Sequence, residues 1–135
     1  MARATAYRLW IKNLSGGEYV PGGSIENPTF LKLGELKVSR VDLVGKVLEK
    51  SDGQYPTMLL EDKTGKIRVR AFGESGAMLS AVNNGDLAKV IGKIRQDAGG
   101  RFVAGEIIKK LSDANYALLR EKELDRNTLV EEISF

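Results

Sequence analysis

Over most of this chain polar and apolar positions alternate with a period of two, and the period lengthens only at two places. Successive side chains of a strand point to opposite faces, so each alternating run is a candidate strand with one face for a core. TAYRLWIKNL sets Tyr7, Leu9 and Ile11 against Arg8, Trp10 and Lys12 and predicts an opening strand. SGGEYVPGGSIENP is rich in Gly, Ser, Pro and Asn and predicts a loop, extended briefly over residues 18–20. TFLKLGEL predicts a second short strand ended by Gly34. Paired with each other, these two strands would form an N-terminal extension laid against the main body.

The main body starts at Lys37. VSRVDLVGKVLEK predicts a long strand with Val41, Leu43, Gly45 and Val47 on one face and Arg40, Asp42, Val44 and Lys46 on the other. The glycine inside it points to a bulge or a sharp coil. After the turn SDGQ, YPTMLLED and KIRVRAFG form a hairpin around residues 63–65. ESGAMLSAV has the composition of a short helix closed by Asn83-Asn84-Gly85. DLAKVIGKIR, the turn DAGG and RFVAGEII supply two more strands. Five strands, a helix between the third and fourth, and a long glycine-kinked first strand are the order of an all-β, five-stranded Greek-key barrel, the OB-fold. An SH3-like barrel is the alternative, but it usually lacks that helix. The expected organisation is an N-terminal strand extension over residues 1–36, the barrel over 37–111, and a helical tail over 112–135. In the tail, Ser112 or Asp113 can cap a helix through about residue 124, and Thr128 to Glu131 has the pattern of a second, short one.

Composition narrows the chemistry. A chain of 135 residues, 42% hydrophobic, can bury one core without disulfides or metal. It has no cysteine and no histidine, which removes thiol catalysis, imidazole bases and the usual zinc ligands. Glu61 and Asp62 are adjacent on a strand and so point apart, which disqualifies them as a catalytic pair; Asp62 reads better as a turn former. No glycine pair has phosphate-loop spacing. The chain therefore reads as a binding protein and not an enzyme, with no cofactor. It contains no apolar run of membrane-spanning length and no signal-peptide core, so a soluble cytoplasmic, nucleoid-associated protein is expected.

Charge is unevenly spread. Residues 1–111 hold 18 Lys and Arg against 12 Asp and Glu, whereas residues 112–135 hold 3 against 6. A basic body suits a polyanion and an acidic tail suits another task. Within the body, Lys66, Arg68, Arg70 and Phe72 share one face of the third barrel strand; Arg40 and Lys46 lie on the first strand, and Lys93 and Arg95 on the fourth. With Tyr55 and Arg101 they make a candidate groove for a nucleic-acid backbone, Phe72 and Tyr55 offering surfaces on which bases stack. Solvated sheet faces also carry Lys and Arg, so the cationic strands alone leave the matter open. Phe102, near the strand 4–5 turn, is a further stacking candidate but reads more readily as a core residue, and Tyr7, Trp10 and Phe30 read as residues that bury the extension.

VSRVDLVGKVLEK, LLEDKTGKIRVRAFG and NNGDLAKVIGKIRQDAGGRFVAGEII resemble the OB domains of replication protein A, the single-stranded DNA-binding complex. The matching points are the turn Asp62 to Gly65, the aromatic after strand three, and the strand holding Val90 to Ile94. AYRLWIKNL and NPTFLKL look more specifically like the archaeal 32-kilodalton-like subunit, the replication protein A-associated protein. That resemblance implies single-stranded DNA held without base specificity between the strand 1–2 and strand 4–5 loops, in DNA replication, repair and recombination. It also implies a hetero-oligomer, a trimer, joined through C-terminal helices, for which Ala114, Ala117, Leu118 and Leu124 are the partner-binding candidates. Phe72 matches the family's stacking aromatic after strand three. The second stacking aromatic of the family falls near Asp97, where this chain departs. Two other readings stay open: a scaffold subunit whose helix docks partners, and an RNA-binding OB protein.

Overall fold

A computed structural model describes residues 6–24, 26–51, 55–113 and 115–126. Among the described residues nine strands, a 3-10 helix and two α-helices run in the order β1 (Ala6–Arg8), 3-10 helix (Ile11–Ser15), β2 (Glu18–Val20), β3 (Phe30–Leu33), β4 (Leu36–Val38), β5 (Arg40–Ser51), β6 (Thr57–Asp62), β7 (Gly65–Ala71), α1 (Ser75–Ala81), β8 (Leu87–Asp97), β9 (Gly100–Lys110) and α2 (Asn115–Arg126). The strands β5, β6, β7, β9 and β8 pair in that order and β8 pairs back with β5, which closes the barrel. The expected five strands and intervening helix are therefore present, with β7 and β9 parallel.

Alternation puts Val41, Leu43, Val47, Met58, Leu60, Ile67, Val69, Val90, Ile94 and Val103 inside the barrel. Closing the barrel requires β5 to serve two neighbours: residues 40–46 pair with β8, and residues from Lys46 onward pair with β6. Gly45 sits at that hand-over. A Cβ there would lie 2.6 Å from the Glu61 carbonyl oxygen, so the close approach of β6 excludes any side chain. The register shift itself lies later, between Leu48 and Ser51, where Glu49 takes a φ of 44°. Gly45 thus marks a sharp coil, and the bulge is displaced from it.

The N-terminal segment differs from expectation. The opening strand is only three residues long and pairs in parallel with β5, not with the second N-terminal strand. From Ile11 the chain turns into a 3-10 helix, because tertiary bonds capture its backbone: the Ile11 N–H donates to Asp62 Oδ2 at 2.8 Å and the Lys12 N–H to Thr64 Oγ1 at 3.1 Å. Asp62 Oδ1 meanwhile accepts from the Thr64 and Gly65 backbone at 2.7 and 3.2 Å. The hairpin turn Asp62 was expected to shape is also the dock for the extension. TFLKLGEL splits around Gly34, which has a φ of 62°, into β3 and β4, and β3 pairs with β2 and β4. Leu9, Ile11, Leu14 and Leu31 are buried in the same cluster as the barrel interior, with Tyr7 and Trp10 packed against it. Phe30 lies under the Lys37 ammonium, 5.2 Å away.

Helix α2 folds back on its own barrel. Asp113 Oδ1 caps the Asn115 N–H at 2.9 Å. Arg120, 10% exposed in its side chain, reaches the nearly buried Asp42 at 3.0 Å and donates to the Asp42 carbonyl at 2.8 Å. Arg8 holds Glu123 at 2.7 Å, and Lys63 holds Glu121 at 3.2 Å. Leu124, expected to meet a partner, is buried instead in the core of its own chain, and Ala117 lies on the same barrel-facing side. Asp42 and Val44, the expected outer face of β5, are covered as a result. Ala114 and the second tail helix lie outside the described residues.

Candidate nucleic-acid interface

The outer face of β7 is where the expected residues converge. Register places Arg68 opposite Leu59 on β6 and Phe102 on β9, and Arg70 opposite Thr57 and Ala104. Phe102 is paired in turn with Arg95 on β8, and Ala104 with Lys93, which is paired with Arg40. Arg68, Arg70, Phe102, Arg95, Lys93 and Arg40 therefore lie on one continuous outer surface.

Phe102 is the correction that changes the picture. It is 7% exposed but does not belong to the barrel core. Its ring is covered by the guanidinium of Arg70 at 4.5 Å and that of Arg68 at 5.4 Å. A phenyl face under two guanidiniums attracts them through its quadrupole and holds their forks toward solvent. The sequence signal was available, since Phe102 has the parity of Ala104 and the opposite parity to Val103. An aromatic in a barrel strand suggests core too readily.

Phe72, 42% exposed, and Tyr55, 49% exposed, meet at the other end of the arginine row with ring centroids 5.1 Å apart and planes tilted by 52°. Local bonds bring them together. The Ala71 N–H donates to the Pro56 carbonyl at 2.9 Å, joining the start of β6 to the end of β7. The buried Ser75 hydroxyl accepts from the Phe72 N–H at 2.9 Å and donates to the Phe72 carbonyl at 2.8 Å. Sequence reading missed Ser75, whose signal is only its spacing of three from Phe72. The Tyr55 ring, Arg68, Arg70, Thr57, Leu59 and Glu49, whose φ is 44°, border an open cleft of about 610 Å³.

The β8–β9 turn meets the arginine row through Asp97. Asp97 bridges the arginines, with Oδ1 3.0 Å from Arg68 and Oδ2 3.3 Å from Arg70. The Arg68 hydrogen bond, chiefly, holds the Asp97 carboxyl below its ordinary range, against an opposing desolvation and with help from the Gly99 N–H and the charges of Arg68 and Arg70.

The remaining candidates are engaged elsewhere. Arg101 donates to the Leu14, Gly16 and Gly17 carbonyls at 2.9, 2.6 and 3.3 Å, so it ties the extension to the β8–β9 turn and is not aimed at the cleft. Arg40 is 12% exposed in its side chain and ion-paired with Glu106 at 2.9 Å. Lys66 lies 3.9 Å from Glu61 at the turn end of β7. Lys46 is opposite Glu61 and Leu87, beside α2 and away from the rings. Arg95 donates to the Ile94 carbonyl at 2.8 Å. Of the tail candidates, Leu118 is exposed, and so are Tyr116, Leu119 and Ile107, which the sequence reading did not single out.

Among the described residues no group of three or more Asp or Glu could hold a metal ion, and no helix is long and apolar enough to cross a membrane. No protein-family model and no curated protein matches the chain. Solved structures do. A chain of a replication protein A heterotrimer bound to ssDNA superposes with a TM-score of 0.74 at 19% identity, over 90% of this chain and 93% of that one. A chain of yeast RPA bound to ssDNA gives 0.66 at 23%, over 91% and 89%. A chain of the S. pombe Stn1–Ten1 complex gives 0.67 at 14%, over 72% and 76%. At such identities the likeness is one of architecture, and with the closed five-stranded barrel it shows that the chain has the OB-fold.

Proposed function

We propose that this chain is a single-stranded DNA-binding subunit of a replication protein A-like complex, a binding protein and not an enzyme, acting in DNA replication, repair and recombination. The observation that carries the reading is the outer face of β7. Arg68 and Arg70 stand over Phe102, beside the exposed Phe72–Tyr55 pair and within reach of Asp97 in the β8–β9 hairpin. Guanidinium forks bind phosphate oxygens, and exposed rings stack on any base, so strands are held without base specificity. Lys93 and Arg95 continue the cationic surface across β8. The neighbours described as bound to ssDNA share this architecture and support the assignment. The archaeal 32-kilodalton-like identity and a nucleoid location are part of the same proposal.

The test is a fluorescence-anisotropy titration of the chain with labelled oligo-dT of about 30 nucleotides at two salt concentrations, with oligo-rU in parallel. Salt-sensitive binding with preference for dT is the expected result, because each phosphate contact lowers log K by about 0.7 per decade of salt. Failure to bind at low salt overturns the DNA reading, and a preference for rU transfers the site to RNA.

A second reading has its own observation. Tyr116, Leu118 and Leu119 are 52%, 54% and 63% exposed on α2, while Ala117, Arg120 and Leu124 fasten the helix to the barrel. A docked helix with an outward apolar side supports assembly with other OB-fold subunits as a hetero-oligomer, here proposed as a trimer. Light scattering of the chain mixed with a candidate replication protein A subunit should show a complex that the Leu118→Glu/Leu119→Glu variant no longer forms.

A further inference from the structure

The arginine pair that lines the cleft is already occupied by an anion that belongs to the protein. We propose that the Asp97 carboxylate stands in for a backbone phosphate on Arg68 and Arg70, so that a strand binds by exchange with Asp97, and that Asp97 thereby sets the affinity of the cleft. The proposal rests on the nucleic-acid reading given above and adds to it a residue that limits it.

Four observations carry it. The two carboxylate oxygens each take a different guanidinium, at 3.0 and 3.3 Å, a bridging arrangement that two non-ester oxygens of one phosphate reproduce. The arginines do not depend on Asp97 for their position, because the Phe102 ring lies beneath both and Arg68 also donates to the Gly100 carbonyl at 3.4 Å.

The turn does not depend on the Asp97 ion pairs either. Asp97 and Gly100 are paired in the β8–β9 ladder, Gly100 has a φ of 113° suited to glycine, and Arg101 anchors the next residue to three carbonyls of the N-terminal segment. Rotation of one side chain is then enough to open the site. It also releases the Gly99 N–H, which donates to Asp97 Oδ1 at 2.8 Å and would face the incoming anion.

Lastly, the bridge is exchangeable. The three side chains keep 25–35% of their exposure, and ion pairs in such surroundings are weak. A phosphate brings the same fork contacts together with counterion release from the strand. Glu49 adds a carboxylate to the lining of the cleft that Arg68 and Arg70 border.

The experiment uses the full chain and labelled oligo-dT of about 30 nucleotides at low and moderate salt, with wild type, Asp97→Asn, Asp97→Ser and Asp97→Asn in an Arg68→Ala/Arg70→Ala background. Both single substitutions keep an acceptor for the Gly99 N–H and remove the charge. The expected result is binding about threefold to tenfold tighter than wild type for each, the gain from losing two exposed pairs. The gain should be largest at low salt and absent in the double-arginine background. Equal or weaker binding by both variants, with salt-sensitive binding by wild type, overturns the exchange and leaves the DNA reading intact. Absence of binding by wild type and both variants overturns both.

Discussion

The outside of this barrel is divided between two surfaces that use charge in opposite ways. Around Asp42, beneath α2, an Arg–Asp pair is nearly sealed from water and reinforced by Lys89 at 3.4 Å. Around Asp97, on the face of β7, two arginines share one carboxylate in the open. The same residue types thus fasten a helix in one place and present a replaceable anion in the other. Burial makes the difference: a sealed charge must keep its partner, whereas an exposed charge can exchange its partner for a ligand.

The comparison is broken most severely at Asp42. Asp42→Ala leaves the buried Arg120 guanidinium with Glu123, 3.7 Å away, as its remaining carboxylate and should cost up to about 3–5 kcal/mol, read by urea denaturation, with amide exchange showing α2 released. Removing a carboxylate at Asp97 should cost far less stability and raise affinity, so a large loss of stability in Asp97→Asn would erase the contrast. The next largest effect is at the rings. Phe72→Ala should weaken oligo-dT binding by about 1–3 kcal/mol through lost stacking, with the melting temperature nearly unchanged because the side chain is exposed. Ser75→Ala should produce a smaller loss of the same sign if the hydroxyl positions Phe72, and its affinity compared with that of Phe72→Ala measures how far it does so.

Arg68→Ala/Arg70→Ala should reduce the salt slope of oligo-dT binding by about 0.7 for each phosphate contact removed, which a titration over several salt concentrations resolves. The smallest effect concerns pH. Asp97 has its acidity raised in the folded chain by Arg68, so its ion pairs contribute stability above its ordinary value of 3.8 and lose it as pH falls through the lowered folded value. The melting temperatures of wild type and Asp97→Asn should therefore converge as pH drops below about 4, and a constant gap would show that the charge contributes nothing.

Both surfaces mix residues whose roles could be read in one dimension with residues whose roles could not. Arg68, Arg70 and Phe72 announce a shared face by parity alone. Phe102 has the same kind of parity signal, yet its burial comes from arginines on another strand. Arg101 looks like one more groove cation, but the carbonyls that occupy it belong to residues some 85 positions earlier in the chain. In the tail, the helix and its Asp113 cap follow from local sequence, whereas the direction each side faces depends on Asp42, a residue that strand alternation had assigned to the solvent side of β5.

The sequence by itself determined the strand order, the helix between the third and fourth barrel strands, the hairpin at Asp62 and the cationic parity of β7, because alternation and turn chemistry are local and repeat at fixed spacing. Only the tertiary structure decided that the N-terminal extension docks on Asp62, that α2 folds against its own barrel, and that Asp97 lies between Arg68 and Arg70. Each of these depends on which polar groups meet across distant parts of the chain, and that pairing is settled by barrel closure and burial rather than by periodicity.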